Sequence, residues 1–433
     1  MKLFGTSGIR AIFNRDLVDL AFKVGMVVGR SHGNVVVGTD TRTSGDAMKH
    51  AVMSGLLAAG ARCSDVGVVP TPTLAFITRE FDAGVEITAS HNPPEYNGIK
   101  LFNPDGSSFD SIQQIQTEEI VLNGSFDVAP WENIKRSDIH NGAINYHTEY
   151  LLAHFRDELK LKVVVDAGCG AASEVTPQLL RKLGCEVITL NCYNSGFFPR
   201  GIEPTEENLE DLKTAVIESG AAAGIAHDGD ADRMMAVDDR GRFIPGDRLL
   251  AIFARAVAAK EVVTTLDASM AIDEMGFNVR RTRIGDTFVS EDLRKGGDFG
   301  GETSGSWIFP EISLCPDGIY AAAQIAAIAS RQKLSELVDS IPGYPLLRGS
   351  TASEGVIMPG LESNLLALEP LSVSNIDGMR LTFKDGWLLI RRSGTEPKIR
   401  LTAEAKSNAK ARRLFDSGLE AIRNSVYDMR KTD

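Results

Sequence analysis

Short runs of β-branched residues alternate along this chain with longer stretches whose apolar positions recur at helical spacing. Val35-Val36-Val37 stops at Gly38, and Val163-Val164-Val165 stops at Asp166-Ala167-Gly168. Each reads as a buried strand entering a tight turn, followed by a segment of helical period, which is the grammar of βαβ units. Beyond the second turn the pattern predicts a helix over 176–183 stopped by Gly184, a strand over 186–190 and another apolar run over 222–226. A third unit repeats it, with a helix over 248–259, a strand over 262–266 and a helix over 317–331. The C-terminal part differs: 381–383 and 387–390 flank Asp385-Gly386 as a hairpin, a short strand spans 399–403, and a closing helix starts near Asn408. The pattern predicts α/β units followed by a smaller α+β domain, with linkers near 142–156, 245–250 and 342–352, the last holding Pro342-Gly343-Tyr344-Pro345.

A length of 433 residues agrees with several domains. The balance of 46 Lys+Arg against 58 Asp+Glu gives a net charge of −12, and no polybasic block occurs. Nucleic acid and anionic membrane surfaces are therefore disfavoured as partners, and an anionic ligand needs local basic clusters. The five cysteines, Cys63, Cys169, Cys185, Cys192 and Cys315, are scattered without a CxxC pair, which argues against a disulfide framework or a zinc site and for a reducing, cytoplasmic setting. No apolar leader and no 18-residue apolar run is present, so secretion and membrane spanning are not expected.

The run His227-Asp228-Gly229-Asp230-Ala231-Asp232-Arg233 carries the clearest chemistry. Three carboxylates at alternate positions, separated by Gly and Ala, can converge on one hard cation; Mg²⁺ suits them and keeps positions open for water or phosphate. The run follows an apolar strand, at the edge where open α/β sheets bind ligands. The plainer alternative is an acidic turn in solvent. Thr88-Ala89-Ser90-His91-Asn92-Pro93-Pro94 presents Ser90 after a strand-like segment, on a turn stiffened by two prolines. Such a serine can carry a phosphoryl group whose oxygens add to the metal's ligands, or be a simple turn residue. His91 beside it suits a hydrogen-bonding role better than that of a base. Arg10 in Gly5-Thr6-Ser7-Gly8-Ile9-Arg10 and Lys100 in Asn97-Gly98-Ile99-Lys100 are candidate cations for a phosphoserine or its proton transfer, or surface charges.

Gly300-Gly301-Glu302-Thr303-Ser304-Gly305 offers a carboxylate and two hydroxyls in a glycine-rich loop, donors and acceptors that match sugar hydroxyls. Arg391-Arg392-Ser393-Gly394-Thr395-Glu396-Pro397, with Arg400 beyond it, reads as an anion cradle, and Arg283 is a weaker further contact.

Taken in this order, the serine loop, DGDADR, GETSG and RRSGTEP, with GTSGIR and NGIK, resemble the α-D-phosphohexomutase family of phosphoglucosamine, phosphomannose and phosphoglucose mutases over essentially the whole chain. The resemblance implies three related α/β domains with mixed sheets and a C-terminal α+β domain around a central cleft, divided here at 1–150, 151–248, 249–346 and 347–433. It implies that Ser90 carries the transferred phosphoryl group and that Asp228, Asp230 and Asp232 bind Mg²⁺ together with it, supported by Arg233. Ser90, Arg10, Lys100 and His91 form the expected catalytic group. Glu302, Thr303, Ser304, Arg283, Arg391, Ser393, Gly394, Thr395 and Arg400 form the expected substrate-binding group.

The implied activity is interconversion of hexose or hexosamine 6-phosphate and 1-phosphate through a phosphoserine enzyme, with a hexose 1,6-bisphosphate as intermediate and activator. Its partners are small-molecule sugar phosphates, with no nucleic acid and no membrane, and a homo-oligomer is left open. One position departs from the family: Ser306 stands where bacterial members resemble GExSGH, and a serine does not replace an imidazole in proton transfer near neutral pH. Ser306-Trp307-Ile308-Phe309-Pro310 and the GTEP of the phosphate loop favour the glucosamine-phosphate branch, with phosphomannomutase/phosphoglucomutase activity as the alternative. An EF-hand reading fails because Arg233 and Asp239 occupy the Gly and Glu positions of that loop. A haloacid-dehalogenase-like phosphatase, with an aspartyl nucleophile, and a non-catalytic sugar-phosphate binder are the competing classes.

Overall fold

The valine run at 35–37 lies at the centre of a six-stranded sheet in a computed structural model that describes residues 3–124, 126–354, 356–393 and 397–426. Its strands are β1 (Ile9–Ile12), β2 (Asn34–Thr39), β3 (Arg62–Val68), β4 (Ala83–Ile87), β5 (Tyr96–Phe102) and β6 (Asp138–Ile139), in the order β1-β5-β4-β2-β3-β6. Pairing is parallel from β4 through β2 and β3 to β6, and antiparallel for β4-β5 and β5-β1. The antiparallel edge sets Arg10 opposite Gly98 and Ile9 opposite Ile99, so the GTSGIR and NGIK motifs become neighbours. Val35 and Val37 are buried under the helices Arg15–Ser31 and Gly45–Ala58. The first of these helices starts where Asn14 accepts from the Leu17 amide, satisfying one of its orphan donors.

A second mixed sheet contains β7 (Lys162–Asp166), β8 (Glu186–Leu190), β9 (Ala223–His227) and β10 (Met234–Val237), in the order β10-β9-β7-β8. β7 pairs in parallel with both β8 and β9, and β9 turns back into β10 with His227 opposite Met234. The whole acidic run 228–233 is thus the connection of one hairpin.

The chain divides into two compact units, Met1–Val262 with Gly285–Ser340, and Val263–Ile284 with Ile341–Asp433. It leaves the first within β11 (Glu261–Thr265); β12 (Asn278–Thr282) belongs to the second. Back in the first unit, β13 (Phe299–Glu302) and β14 (Ser306–Ile308) make a tight antiparallel hairpin. The second unit carries β15 (Leu346–Ala352), β16 (Ser372–Ser374), β17 (Met379–Phe383), β18 (Gly386–Arg392) and β19 (Lys398–Ala405) in an antiparallel sheet ordered β15-β19-β18-β17-β16, with the helix Asn408–Arg423 after it. Within that unit Glu404 accepts from Ser269 Oγ, from the Met270 amide and from Trp387 Nε1, which ties 263–284 to the C-terminal sheet.

Three sequence expectations change. The segments read as linkers are regular structure: Ala143–Leu152 and Gly246–Ala256 are helices and Leu346–Ala352 is a strand. Their Gly and Pro residues cap elements, as Gly142 and Pro245 do, rather than open loops. The C-terminal hairpin turns at Lys384-Asp385, with Phe383 opposite Gly386, because Gly386 is the first paired residue of β18. Gly300-Gly301-Glu302 is strand, not loop: pairing with β14 overrides glycine's weak strand preference, and the loop proper is 303–305. Among the described residues no helix is long and apolar enough to cross a membrane.

Candidate active site

The Ser90 loop leaves β4 and is held by a group that the sequence reading passed over. Arg42 is buried, and all five of its N–H donors are used. Nε bonds Asp40 Oδ2 at 3.1 Å, Nη2 bonds the carbonyls of Ser90 (2.9 Å) and Asn92 (2.6 Å), and Nη1 bonds those of Pro93 (2.7 Å) and Tyr96 (2.9 Å). Asp40 also accepts from Thr88 Oγ1 at 2.6 Å, and Thr88 Oγ1 in turn receives the Ser90 amide at 2.8 Å. Ser90 is fixed in the left-handed region, φ 51°, a conformation that costs a non-glycine residue of order 1 kcal/mol or more and survives only when its surroundings enforce it. The signal was Asp40-Thr41-Arg42, directly after β2 at the same sheet edge as Ser90.

The acidic hairpin loop faces this serine. Asp228, Asp230 and Asp232 are buried, and one oxygen from each lies within 4.8 Å of the others. Ser90 Oγ donates to Asp228 Oδ2 at 2.7 Å. Gly229 is required for the approach, since a Cβ there would sit 2.6 Å from the Ser90 carbonyl oxygen. Ala231 adopts φ 58°, which bends the loop so that the alternate carboxylates converge. Asp230 Oδ2 accepts from Thr71 Oγ1 (2.6 Å) and Lys100 Nζ (2.6 Å), and Asp232 Oδ2 from Lys100 Nζ (2.5 Å).

The remaining oxygens, Asp230 Oδ1 and Asp232 Oδ1, are buried without a protein partner. Two orphaned carboxylate oxygens in a converging acidic set fit a hard, oxygen-seeking cation. Burial, with Asp232 and Asp230 nearby, raises Asp228 well above the usual carboxylate range. Burial pushes Asp230 the same way, but the Lys100 ammonium outweighs it and holds Asp230 below that range. Lys100 pays a desolvation cost, yet the two aspartates raise its pKa, so it stands here as a cation and a hydrogen-bond donor, not a base.

Arg10 reaches the loop through Nη1 to Asn92 Oδ1 at 3.2 Å, and its Nε is buried without a partner. His91 Nδ1 is a long 3.4 Å from Ser90 Oγ. Burial, with the charges of Arg233 and Arg10, drives His91 down to about 2, which favours the neutral ring. Arg233 supports the acidic loop: its amide bonds Asp228 Oδ1 at 3.2 Å and its guanidinium bonds Glu203 Oε1 at 2.7 Å. On β4, Glu86 is buried with neither oxygen partnered. Burial, then Asp40 and Asp230, pushes it well above its usual range, a neutral carboxyl that sequence reasoning missed.

The glycine-rich hairpin is stitched to the exit of the acidic loop. Met234 donates its amide to the Gly305 carbonyl (2.9 Å), Trp307 Nε1 donates to the Met234 carbonyl (2.7 Å), and Arg233 bridges Ser306. Glu302 is buried and contributes to the field on Arg233. Thr303 is half-buried, and Ser304 Oγ is buried with no partner, a hydroxyl left over for a ligand. Ser306, at the position where the family resemblance led us to expect histidine, is buried in β14 opposite Glu302. The first unit therefore brings together Arg10, Ser90, His91, Lys100, Asp228, Asp230, Asp232, Arg233 and the 302–306 hairpin.

The remaining candidates lie in the second unit. Arg391 pairs across β18-β19 with Arg400, and its Nη1 is held by Asp377 Oδ2 at 2.7 Å. The same carboxylate oxygen receives the amide of Ile284 at 3.2 Å, next to the exposed Arg283. The Ser393 amide bonds the Lys398 carbonyl at 2.8 Å. Gly394 and Thr395 lie outside the described residues.

Comparison with known proteins agrees along the whole length. Family models of the phosphoglucomutase/phosphomannomutase alpha/beta/alpha domains I, II and III match residues 1–127, 144–241 and 245–344, and that of the C-terminal domain matches 355–421. The "Probable phosphoglucosamine mutase" of Methanococcoides burtonii is 47% identical over 437 residues, covering 98% of this chain and 100% of the relative. The "Phosphoglucosamine mutase" of Methanococcus aeolicus is 40% identical, covering 99% and 100%. Among solved structures, a phosphoglucomutase/phosphomannomutase family protein from Burkholderia thailandensis superposes with a TM-score of 0.85 at 28% identity, covering 97% of each chain. The N-acetylphosphoglucosamine mutase of Aspergillus fumigatus, solved with GlcNAc-6P and magnesium, shares the fold at a TM-score of 0.64 and 15% identity, covering 98% of this chain and 96% of its own. With four matched domains in order and a serine set against a buried acidic triad, the chain belongs to the phosphoglucomutase/phosphomannomutase family, the α-D-phosphohexomutases.

Proposed function

We propose that this protein is a phosphoglucosamine mutase, moving a phosphoryl group between the 6- and 1-oxygens of glucosamine phosphate by way of Ser90. The observation that carries this reading is Ser90 Oγ at 2.7 Å from Asp228, within a buried carboxylate set that still has two oxygens unpartnered. The names of the full-length relatives support the glucosamine substrate. Mannose and glucose phosphates are the alternative within the family, since Ser90 and the acidic set act on a phosphoryl group that all of these sugars carry. The phosphatase reading is less economical, because the aspartates face a serine held for covalent chemistry.

Asp228, Asp230 and Asp232, with an oxygen on Ser90, are the residues that would hold Mg²⁺. Bound there, the cation would neutralise charge on the phosphoryl oxygens and orient them. The rest of the work falls to the chain. The Arg42 scaffold fixes Ser90 so that little is lost to positioning in the transition state. Phospho-Ser90 gives its phosphoryl group to the free sugar hydroxyl: the P–O(Ser90) bond breaks, a P–O(sugar) bond forms, the sugar hydroxyl gives up its proton, and the departing Ser90 oxygen takes one up to become the hydroxyl that donates to Asp228. The hexose 1,6-bisphosphate so formed turns over in place, and its other phosphate returns to Ser90. Lys100 and Arg10 supply positive charge to the transferring group, and neutral His91 supplies a hydrogen-bonding nitrogen. Glu302, Thr303 and Ser304 are proposed for the sugar hydroxyls. Arg391, Ser393 and Arg400, with Gly394, Thr395 and Arg283, are proposed for the distal phosphate. The domain limits 1–150, 151–248, 249–346 and 347–433 and a cytoplasmic location belong to the same reading.

Ser90→Ala tests it. Steady-state conversion of glucosamine 6-phosphate should fall at least about 10³-fold, as for removal of a covalent nucleophile, while the thermal unfolding curve stays within about 1 kcal/mol of wild type. Near-normal turnover in the variant would sink the mechanism.

A further inference from the structure

Asp286 has no part in the roles assigned so far, yet it faces the same charges. It opens the helix Asp286–Leu293, is buried, and its one hydrogen-bond partner among the described residues is the Ser7 hydroxyl, at a long 3.4 Å. Thr287 Oγ1 bonds the Thr6 carbonyl at 2.8 Å, so the N-terminal Gly5–Arg10 segment fixes where this helix begins. The Asp286 carboxyl lies in the field of Asp232, Lys100, Arg10 and Arg233, the groups that surround the Ser90–Asp228 pair. It is not one of the three carboxylates whose oxygens converge as a metal set. Among the described residues no lysine or arginine nitrogen forms an ion pair with it, whereas Lys100 is spent on Asp230 and Asp232 and Arg233 on Glu203. Burial and Asp232 raise the Asp286 carboxyl above its ordinary range while Lys100, Arg10 and Arg233 oppose them without pairing with it directly; a buried carboxyl without an ion-pair partner is expensive, and such groups are retained where a ligand supplies the missing partner.

The chemistry of the substrate supplies one. A hexosamine phosphate differs from a hexose phosphate by a single cationic group, the ammonium on C2. C2 adjoins C1, so whenever the 1-oxygen gives or takes the phosphoryl group at Ser90, this ammonium lies beside the reacting atoms. There it meets Lys100, Arg10 and Arg233, three cations that repel it. A carboxylate not committed to the metal, buried beside Ser7 and within the field of the same three cations, removes that penalty and supplies a charge-assisted acceptor.

We infer that Asp286 recognises the C2 ammonium of a hexosamine phosphate and is a specificity-determining residue of this enzyme, an assignment that rests on the mutase reading above. Ser7 positions the carboxyl, and the Glu302–Ser304 hairpin reads the hydroxyls that all hexose phosphates share. A sugar with a hydroxyl at C2 leaves the carboxylate with a weaker, uncharged donor, so selectivity arises from loss of one charged hydrogen bond.

The test compares full-length wild type, Asp286→Asn and Asp286→Ser with Mg²⁺, each on glucosamine 6-phosphate and on glucose 6-phosphate. The serine variant keeps a residue that suits a helix start, and guards against misfolding of the amide. The ratio of kcat/KM for glucosamine to that for glucose should fall by roughly 10- to 100-fold in both variants, the worth of a hydrogen bond to a charged group, with most of the change in KM. A ratio that moves less than about tenfold, including an equal loss on both sugars, overturns the assignment and makes Asp286 a structural or sugar-independent residue. Wild type that turns over glucose 6-phosphate but no glucosamine 6-phosphate instead overturns the substrate reading on which the assignment rests.

Discussion

Both ring nitrogens of His227 are satisfied without a charge: Nδ1 lies 3.1 Å from the Arg233 carbonyl, which requires the proton there, and Nε2 lies 3.0 Å from the Thr176 hydroxyl, which can donate to it. Burial lowers its pKa to about 4, although the Arg233 carbonyl bond acts the other way. A histidine held below its ordinary 6.5 is favoured neutral in the folded state. Its contribution is therefore intact above pH 6.5 and lost as the pH falls from there through about 4. Urea unfolding of wild type and His227→Gln should show the wild-type advantage shrinking by roughly 2 kcal/mol between pH 7 and 5 and staying level above pH 7; a difference independent of pH would refute it. At this scale the sequence was informative about identity and silent about partners. The convergence of Asp228, Asp230 and Asp232 followed from their alternation. The commitment of Lys100 to two of them, the neutrality of His91, and the environments of Glu86 and Asp286 depend on residues brought together from separate elements of the chain, which no local pattern records.

Elements bear the site because their ends meet. β4 delivers Ser90, the β9–β10 hairpin delivers the acidic loop, and the β13–β14 hairpin is pinned to that loop's exit through Met234. The valine runs announced β2 and β7 because a fully buried parallel strand needs apolar residues on both faces. β13 was illegible, since Gly300 and Gly301 have little intrinsic strand preference and take it only from pairing with β14. Arg42 belongs to this scale, as the pin that makes the Ser90 turn a rigid object. A lysine there has one nitrogen where five N–H donors in a planar fork are used, so up to four loop carbonyls lose their partner. Arg42→Lys should cost on the order of 3 kcal/mol in a denaturant titration and lower kcat more than the affinity for the sugar phosphate. Wild-type stability and kcat in this variant would show that the loop is held by other means.

For the molecule as a whole, the chain collects into its first unit an arginine from residue 10, a serine from 90, a lysine from 100, an acidic loop from 228–233 and a hydroxyl-rich hairpin from 302–306. Their order was readable in the sequence, and four matched domains bear out the family it pointed to. What the sequence could not supply is the boundary of the compact units. Residues 263–284 join the C-terminal sheet through Glu404, a contact between segments more than 120 positions apart. The most direct test of the central claim is to charge the purified protein with glucose 1,6-bisphosphate and Mg²⁺, map the phosphate by peptide mass spectrometry, and then add glucosamine 6-phosphate. Phosphate found on Ser90 and discharged by that sugar is the result expected; phosphate on an aspartate, or a Ser90 that can be neither charged nor discharged, would contradict the account.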